Sequence, residues 1–152
     1  MDGLGDVICS LQTGLVVPGG GAIEIELARR LREFGQSLSG REKLAVEEFA
    51  SALEFIPVTL AENAGIDPID VLTELKSRHD SGERNAGLNL FENKVDNVLE
   101  AKIIEPYKIK NQAINSASEV AIMILRIDDV IASSGQKEGK MPGYMGGLEW
   151  LL

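Results

Sequence analysis

Few groups in this sequence can do chemistry, and the most conspicuous is backbone. Gly19-Gly20-Gly21, in LVVPGGGAIE, stands directly before a long amphipathic stretch. Glycine loses the most freedom on ordering, so three together imply a close approach to the backbone or a need for positive φ. Such a segment is either a tight turn or a cradle in which a ligand lies on bare backbone at a helix N-terminus, where a side chain would occlude it. Glu105, ahead of Pro106, offers a carboxylate in extended chain, and Lys110 an ammonium one turn into the next helix. Asn89 reads most simply as a hairpin residue. Asp128-Asp129 is a pair of acids at a helix end, better suited to solvent or to Arg126 than to a metal. His79 has no Cys or His at ligand spacing; it reads as a surface residue near a helix C-terminus, where a cation is favoured. Cys9 lacks a His/Asn or CxxC context and reads as a buried, inert thiol. No metal site is expected.

The bulk numbers limit the function classes. The 152 residues suit one domain with its own core, and 44% hydrophobic with 26% charged residues is ordinary for a folded protein. Aromatics make up only 5%, so the core must be aliphatic and alanine-rich, which favours close-packed helices. A net charge of −9, with no basic cluster and interleaved aromatics to offset it, argues against nucleic acid. A nucleoside triphosphate would meet the same repulsion and would need Mg²⁺ to screen it. A single cysteine excludes an internal disulfide and fits a reducing cytosol. The apolar run VAIMIL at 120–125 is too short to cross a bilayer, and the acidic start has no signal-peptide pattern; the expected location is cytoplasmic.

The elements that must position these groups follow from periodicity. Apolar residues at 4, 7, 8 and 11 give a first helix that Gly14 stops. After the glycines, AIEIELARRLREFGQSL is helical, with Glu24 and Glu26 early and arginines later, in the order that suits the helix dipole. Ser39 and Glu42 form a capping-box pattern that opens a helix Pro57 interrupts or restarts; 58–64 then form a short helix ended by Gly65. Asp67-Pro68 is an N-cap followed by proline at the first helical position. From Ser81 the helical period is lost: GLNLF and KV read as a hairpin turning at Glu92-Asn93. Asp96 is placed to cap a short helix, DNVLEA. Pro106 holds Glu105 extended, and a long helix runs from Tyr107 to about Ile131. Residues 134–152 read as a loose Gly/Met-containing tail ending in LEWLL. The expected class is mostly α: orthogonally packed helices with one small β-hairpin.

Several long motifs then fall in a telling order. GLVVPGGGAIEIELARRLR, LSGREKLAVEEFASALEFIPVTLAENAGIDPIDVL, NAGLNLF and IIEPYKIKNQAINSASEVAIMILRIDDVIAS together closely resemble the C-terminal half of the equatorial domain of group II chaperonins. That family includes the archaeal thermosome and the eukaryotic cytosolic chaperonin. The resemblance covers about residues 2–133, within an expected helical domain of 1–133, and KMPGYMGG is similar to archaeal subunit tails, whereas LEWLL departs from them.

The resemblance implies an ATP-driven, ring-forming protein-folding machine of which this chain supplies half a nucleotide pocket and part of a ring contact. It implies that Gly19, Gly20 and Gly21 lie against ATP or ADP, that Leu88, Asn89 and Leu90 face the adenine, and that Glu105 accepts from the ribose hydroxyls with Lys110 nearby. Asp2 falls where the family has the aspartate that aligns the attacking water. The phosphate-binding loop, the Mg²⁺-coordinating aspartate and the client-binding domain are missing from this sequence, so little ATPase activity is expected of the chain alone. Its expected partners are other chaperonin subunits or copies of itself, and non-native proteins only through the missing domains; nucleic acid and membranes are not expected. The alternative is a non-catalytic, chaperonin-derived interaction module. Either way, absence of the other half of a shared core predicts an exposed apolar face and self-association, a partner, or a shifted last helix.

Overall fold

The structure, a computed structural model, describes residues 2–127. Along the chain come α1 (Asp2–Thr13), β1 (Val16–Pro18), α2 (Ala22–Gly35), α3 (Gly40–Ala64), α4 (Pro68–Asp80), β2 (Ala86–Asn89), β3 (Lys94–Asn97), β4 (Ile104–Pro106) and α5 (Tyr107–Leu125). The mostly helical class is as expected. The hairpin also forms, β2 against β3, with Leu88 opposite Val95 and Asn93 at positive φ in its turn. A second antiparallel ribbon accompanies it: β1 pairs with β4, setting Val17 opposite Glu105. Only the extended half around Pro106 was legible in the sequence.

Local signals account for most helix ends. Asp67 accepts from the amides of Ile69 at 2.8 Å and Asp70 at 3.2 Å, and Pro68 starts α4. Gly14 and Gly65 close α1 and α3. Four expectations are corrected. Ser39 sits at the N-cap of α3, but its side chain makes no capping hydrogen bond. Pro57 does not break that helix: α3 runs through it, so 58–64 are its last turns. The ring is fully buried against Gly21, and this packing compensates for the backbone hydrogen bond a proline cannot donate. Asp96 caps no helix; it lies in β3, and the chain after it forms turns closed by Ala101 N–H to Asn97 O and Ile103 N–H to Val98 O. The last helix ends at Leu125, before the expected Ile131, with Arg126 and Ile127 already outside it. Asp128, Asp129, the tail 134–152 and its LEWLL end lie outside the described residues.

The core is aliphatic and rich in alanine, as the composition requires. Ile25, Ala61, Val71, Leu75, Ala86, Leu88 and Val95 join α2, α3 and α4 to the hairpin. Ala28, Ala50 and Leu53 form a second cluster between α2 and α3, touched by Ile114 of α5.

Three acids are embedded in this packing. Glu54 of α3 binds Arg32 of α2 and, at 2.8 Å, Lys76 of α4, so one carboxylate ties three helices. Burial pushes its pKa up, but Arg32 and Lys76 outweigh this and hold it below the usual range. Glu26 of α2 lies 3.2 Å from Nδ1 of His79 and accepts from Arg29 and Arg30. His79 is 1% exposed, not the surface residue expected, and its Nε2 is 2.8 Å from the Ala86 carbonyl. Both ring nitrogens therefore face oxygen atoms of other elements. Cys9 is half-buried rather than buried.

Among the described residues one side is not closed. No residue of α5 is buried, and Val120, Ile122, Met123, Ile124 and Leu125 are exposed. Leu4, Val7, Ile8 and Leu11 of α1, which packs against α5 and β4, are exposed as well. This is the bare apolar surface expected from the sequence.

Candidate functional site

The glycine turn is where the two ribbons and α2 meet. The Gly19 amide donates to the Ile103 carbonyl at 3.0 Å, and the Gly20 carbonyl accepts from the Leu88 amide at 2.8 Å. One turn thus fastens the start of α2 to β2 and to the approach to β4. Gly20 has φ +59, and a Cβ there would lie 2.4 Å from the Leu88 carbonyl oxygen. Gly21 has φ +79, and a Cβ there would lie 2.6 Å from the Pro57 ring. Both meanings of the triple glycine therefore apply: positive φ is used, and something approaches closely. The approaching groups are the chain's own strand β2 and helix α3. A Cβ on Gly19 would meet Glu105 Oε1 at 3.1 Å, so this glycine faces the candidate carboxylate.

Glu105 and Lys110 are brought together. Pro106 starts α5 from an extended position, which puts Glu105 in β4 and Lys110 on the first turn. Lys110 Nζ lies 2.7 Å from Glu105 Oε2 and 2.5 Å from Glu24 Oε1. Burial pushes the Lys110 pKa down, but the bonds to Glu105 and Glu24 outweigh it and the net shift is upward. Glu24 was not among the candidate residues. It sits in the first turn of α2, only 3% exposed, and its Oε2 has no hydrogen-bond partner among the described residues. In the sequence it reads as a dipole-favoured acid on a solvated face; the signal available was its place inside the apolar run AIEIEL.

The hairpin candidates divide. Leu88 is buried in the core, so only its backbone lies at the glycine turn. Asn89 is 4% exposed, and its Oδ1 accepts from the Phe91 amide at 3.0 Å and weakly from Glu92, which makes it the residue that holds the turn. Leu90 is exposed. Asp2 is the first residue of α1, and its side chain lies outside the described part. Among the described residues no group of three or more acids, histidines or cysteines could hold a metal ion, and no helix is long and apolar enough to cross a membrane. A separate cleft of about 520 Å³ lies between α2, α3 and α4, lined by Arg29, Arg32, Lys76, Glu33, Glu54 and His79. Its cations are engaged by Glu26, Glu33 and Glu54.

Comparison with known proteins shows to which class this helical fold, with its glycine turn fastened between two small ribbons, belongs. Residues 1–134 match the TCP-1/cpn60 chaperonin family. The chain is 53% identical to a thermosome subunit of Methanocaldococcus jannaschii, over 98% of this chain and 28% of the relative. It is 54% identical to thermosome subunit beta of Archaeoglobus fulgidus, over 97% of this chain and 27% of the relative. The solved open-state monomer of a group II chaperonin from Methanococcoides burtonii matches with a TM-score of 0.72 at 57% identity, covering 74% of this chain and 28% of that one. The chain belongs to the TCP-1/cpn60 chaperonin family. It spans little more than a quarter of the length of the curated relatives it matches.

Proposed function

We propose that this chain supplies the base- and ribose-facing half of an adenine-nucleotide pocket in an ATP-dependent, ring-forming protein-folding assembly of the group II chaperonin type. The observation that carries this is the placement of Glu105, held by Lys110, against Gly19 at the head of α2. A carboxylate there can accept from both hydroxyls of a ribose, and the hairpin backbone beside Gly20 offers a wall for the base. The site is acidic: two carboxylates share one ammonium. It fits a sugar diol and does not fit a triphosphate. On this reading the phosphates and Mg²⁺ are held by groups outside the described residues, and phosphoryl transfer is not assigned to Gly19–Gly21, Leu88–Leu90, Glu105 or Lys110. Asp2, as the residue that aligns water, belongs to the same proposal. A cytoplasmic setting fits the single thiol.

Calorimetric titration with Mg-ATP tests the reading. Saturable binding is expected, weakened roughly tenfold by Glu105→Ala, the equivalent of one charge-assisted hydrogen bond. Binding that ignores this substitution, or no heat at millimolar nucleotide, contradicts it.

The bare faces of α1 and α5 favour a second reading, a module that works by association with other subunits or with itself. It requires concentration-dependent sedimentation that Ile124→Glu with Leu125→Glu reduces; a monomer at every concentration removes its support.

A further inference from the structure

We infer that Glu24 is a positioning residue for the ribose-facing carboxylate, acting on Glu105 through Lys110; this rests on the nucleotide-pocket reading. The three groups come from distant parts of the chain: Glu24 from α2, Glu105 from β4 and Lys110 from α5. Their burial is graded, with side-chain exposure of 3% for Glu24, 17% for Lys110 and 37% for Glu105. The innermost acid is fixed by packing and the outermost stands at the rim, with the ammonium between them.

This grading gives the lysine a direction. A lysine stem has several rotatable bonds and ordinarily carries its ammonium to water. Here Glu24 holds Nζ inward at 2.5 Å, within reach of Glu105 Oε2 at 2.7 Å. With Oε2 bound, the planar carboxylate of Glu105 can set Oε1 in only a narrow range, and it stands 3.1 Å from where a side chain on Gly19 would begin. That is the face a ligand on the glycine turn would meet. Glu24 itself needs only one oxygen to hold Lys110, and its Oε2 is buried without a partner among the described residues. A single-acceptor side chain would bind the ammonium without leaving that oxygen orphaned. What the carboxylate adds is full negative charge, the property needed to keep an ammonium from solvent.

The test compares the full chain with Glu24→Gln, Glu105→Ala and the double variant, with two readouts. The first is the rate at which an acetylating reagent modifies Lys110, followed by mass spectrometry. It should be slow in the unsubstituted chain and rise about tenfold in Glu24→Gln, with the circular dichroism spectrum unchanged. The second is the ratio of affinities for Mg-ATP and its 2′-deoxy analogue. The ratio should be about ten in the unsubstituted chain, near one in Glu105→Ala and in Glu24→Gln, and no lower in the double variant. A merely structural Glu24 would weaken both nucleotides equally and leave the ratio intact; that result, or an unchanged Lys110 rate, overturns the inference. If Glu24→Gln does not fold, Glu24→Asp, which keeps the charge and shortens the reach, should give an intermediate ratio. An unaltered ratio there overturns the inference too. If the unsubstituted chain binds neither nucleotide, the pocket reading fails and takes the ribose role with it, while the Lys110 rate still decides whether Glu24 holds the ammonium.

Discussion

Gly20→Ala should lower the stability of the chain by roughly 2–5 kcal/mol or prevent folding altogether, read as a shifted midpoint in urea unfolding. Two penalties combine. At φ +59 any side chain is strained, and the added Cβ would lie 2.4 Å from the Leu88 carbonyl oxygen. That oxygen is backbone in a paired strand, so it cannot swing aside as a side chain could. The Gly20–Leu88 hydrogen bond would break as the strand moved, and Leu88 belongs to the main apolar cluster. Gly65→Ala separates the two penalties. Gly65 has φ +72 with nothing within 4 Å of a Cβ, so its alanine variant should lose only the conformational part, about 1–2 kcal/mol. Equal losses at both positions would show that the close approach at Gly20 contributes little.

The second large effect is expected at Glu26. Glu26→Gln should lose about 2–4 kcal/mol at neutral pH, somewhat below a fully buried ion pair because Arg30 stands partly in solvent. The substitution leaves His79 facing an amide in a closed site and takes the Glu26 carboxylate from Arg30 and from Arg29, which keeps Glu33. The acid dependence has a definite sign. Burial pushes the Glu26 carboxyl up, but hydrogen bonds from Arg29, Arg30 and His79 outweigh it and hold it at about 2, against 4.5 for an ordinary glutamate. A carboxylate with a depressed folded-state pKa contributes fully above its unfolded value. The contribution is then lost as pH falls from about 4.5 toward 2. Unfolding midpoints measured across that window should fall steeply for the unsubstituted chain and less steeply for Glu26→Gln. Parallel curves would contradict the assignment.

What the sequence revealed depended on how local the cause was. The Asp67-Pro68 cap was legible because its partners are the next two amides, and Gly14 and Gly65 because a positive φ is a property of one residue. The triple glycine announced a close approach but not its partner, since Leu88 and Pro57 are distant in the chain. Pro57 looked like a break because the rule for proline in a helix concerns a lost hydrogen bond; the buried contact with Gly21 that keeps α3 continuous is tertiary. Glu24, Glu26 and Glu54 carry the same difficulty. An acid beside apolar residues reads as the wet face of a helix, and only the folded chain shows that Lys110, His79 and Lys76 reach it from other elements. For Glu105 and Lys110 the spacing around Pro106 gave an extended residue and a first helical turn, and it was the resemblance to group II chaperonins that implied they share a pocket.

The most direct test of the nucleotide half-pocket is to locate the ligand by amide chemical shifts as Mg-ATP is added to the isotopically labelled chain. Saturable shifts are expected at Gly19, Gly20 and Gly21, at Asn89 and Leu90, and at Glu105, with Arg32 and Lys76 unmoved. Shifts concentrated instead in the cationic cleft of Arg29, Arg32 and Lys76, or none at saturating nucleotide, would contradict it. The glycine turn would then be a joint of the fold and nothing more.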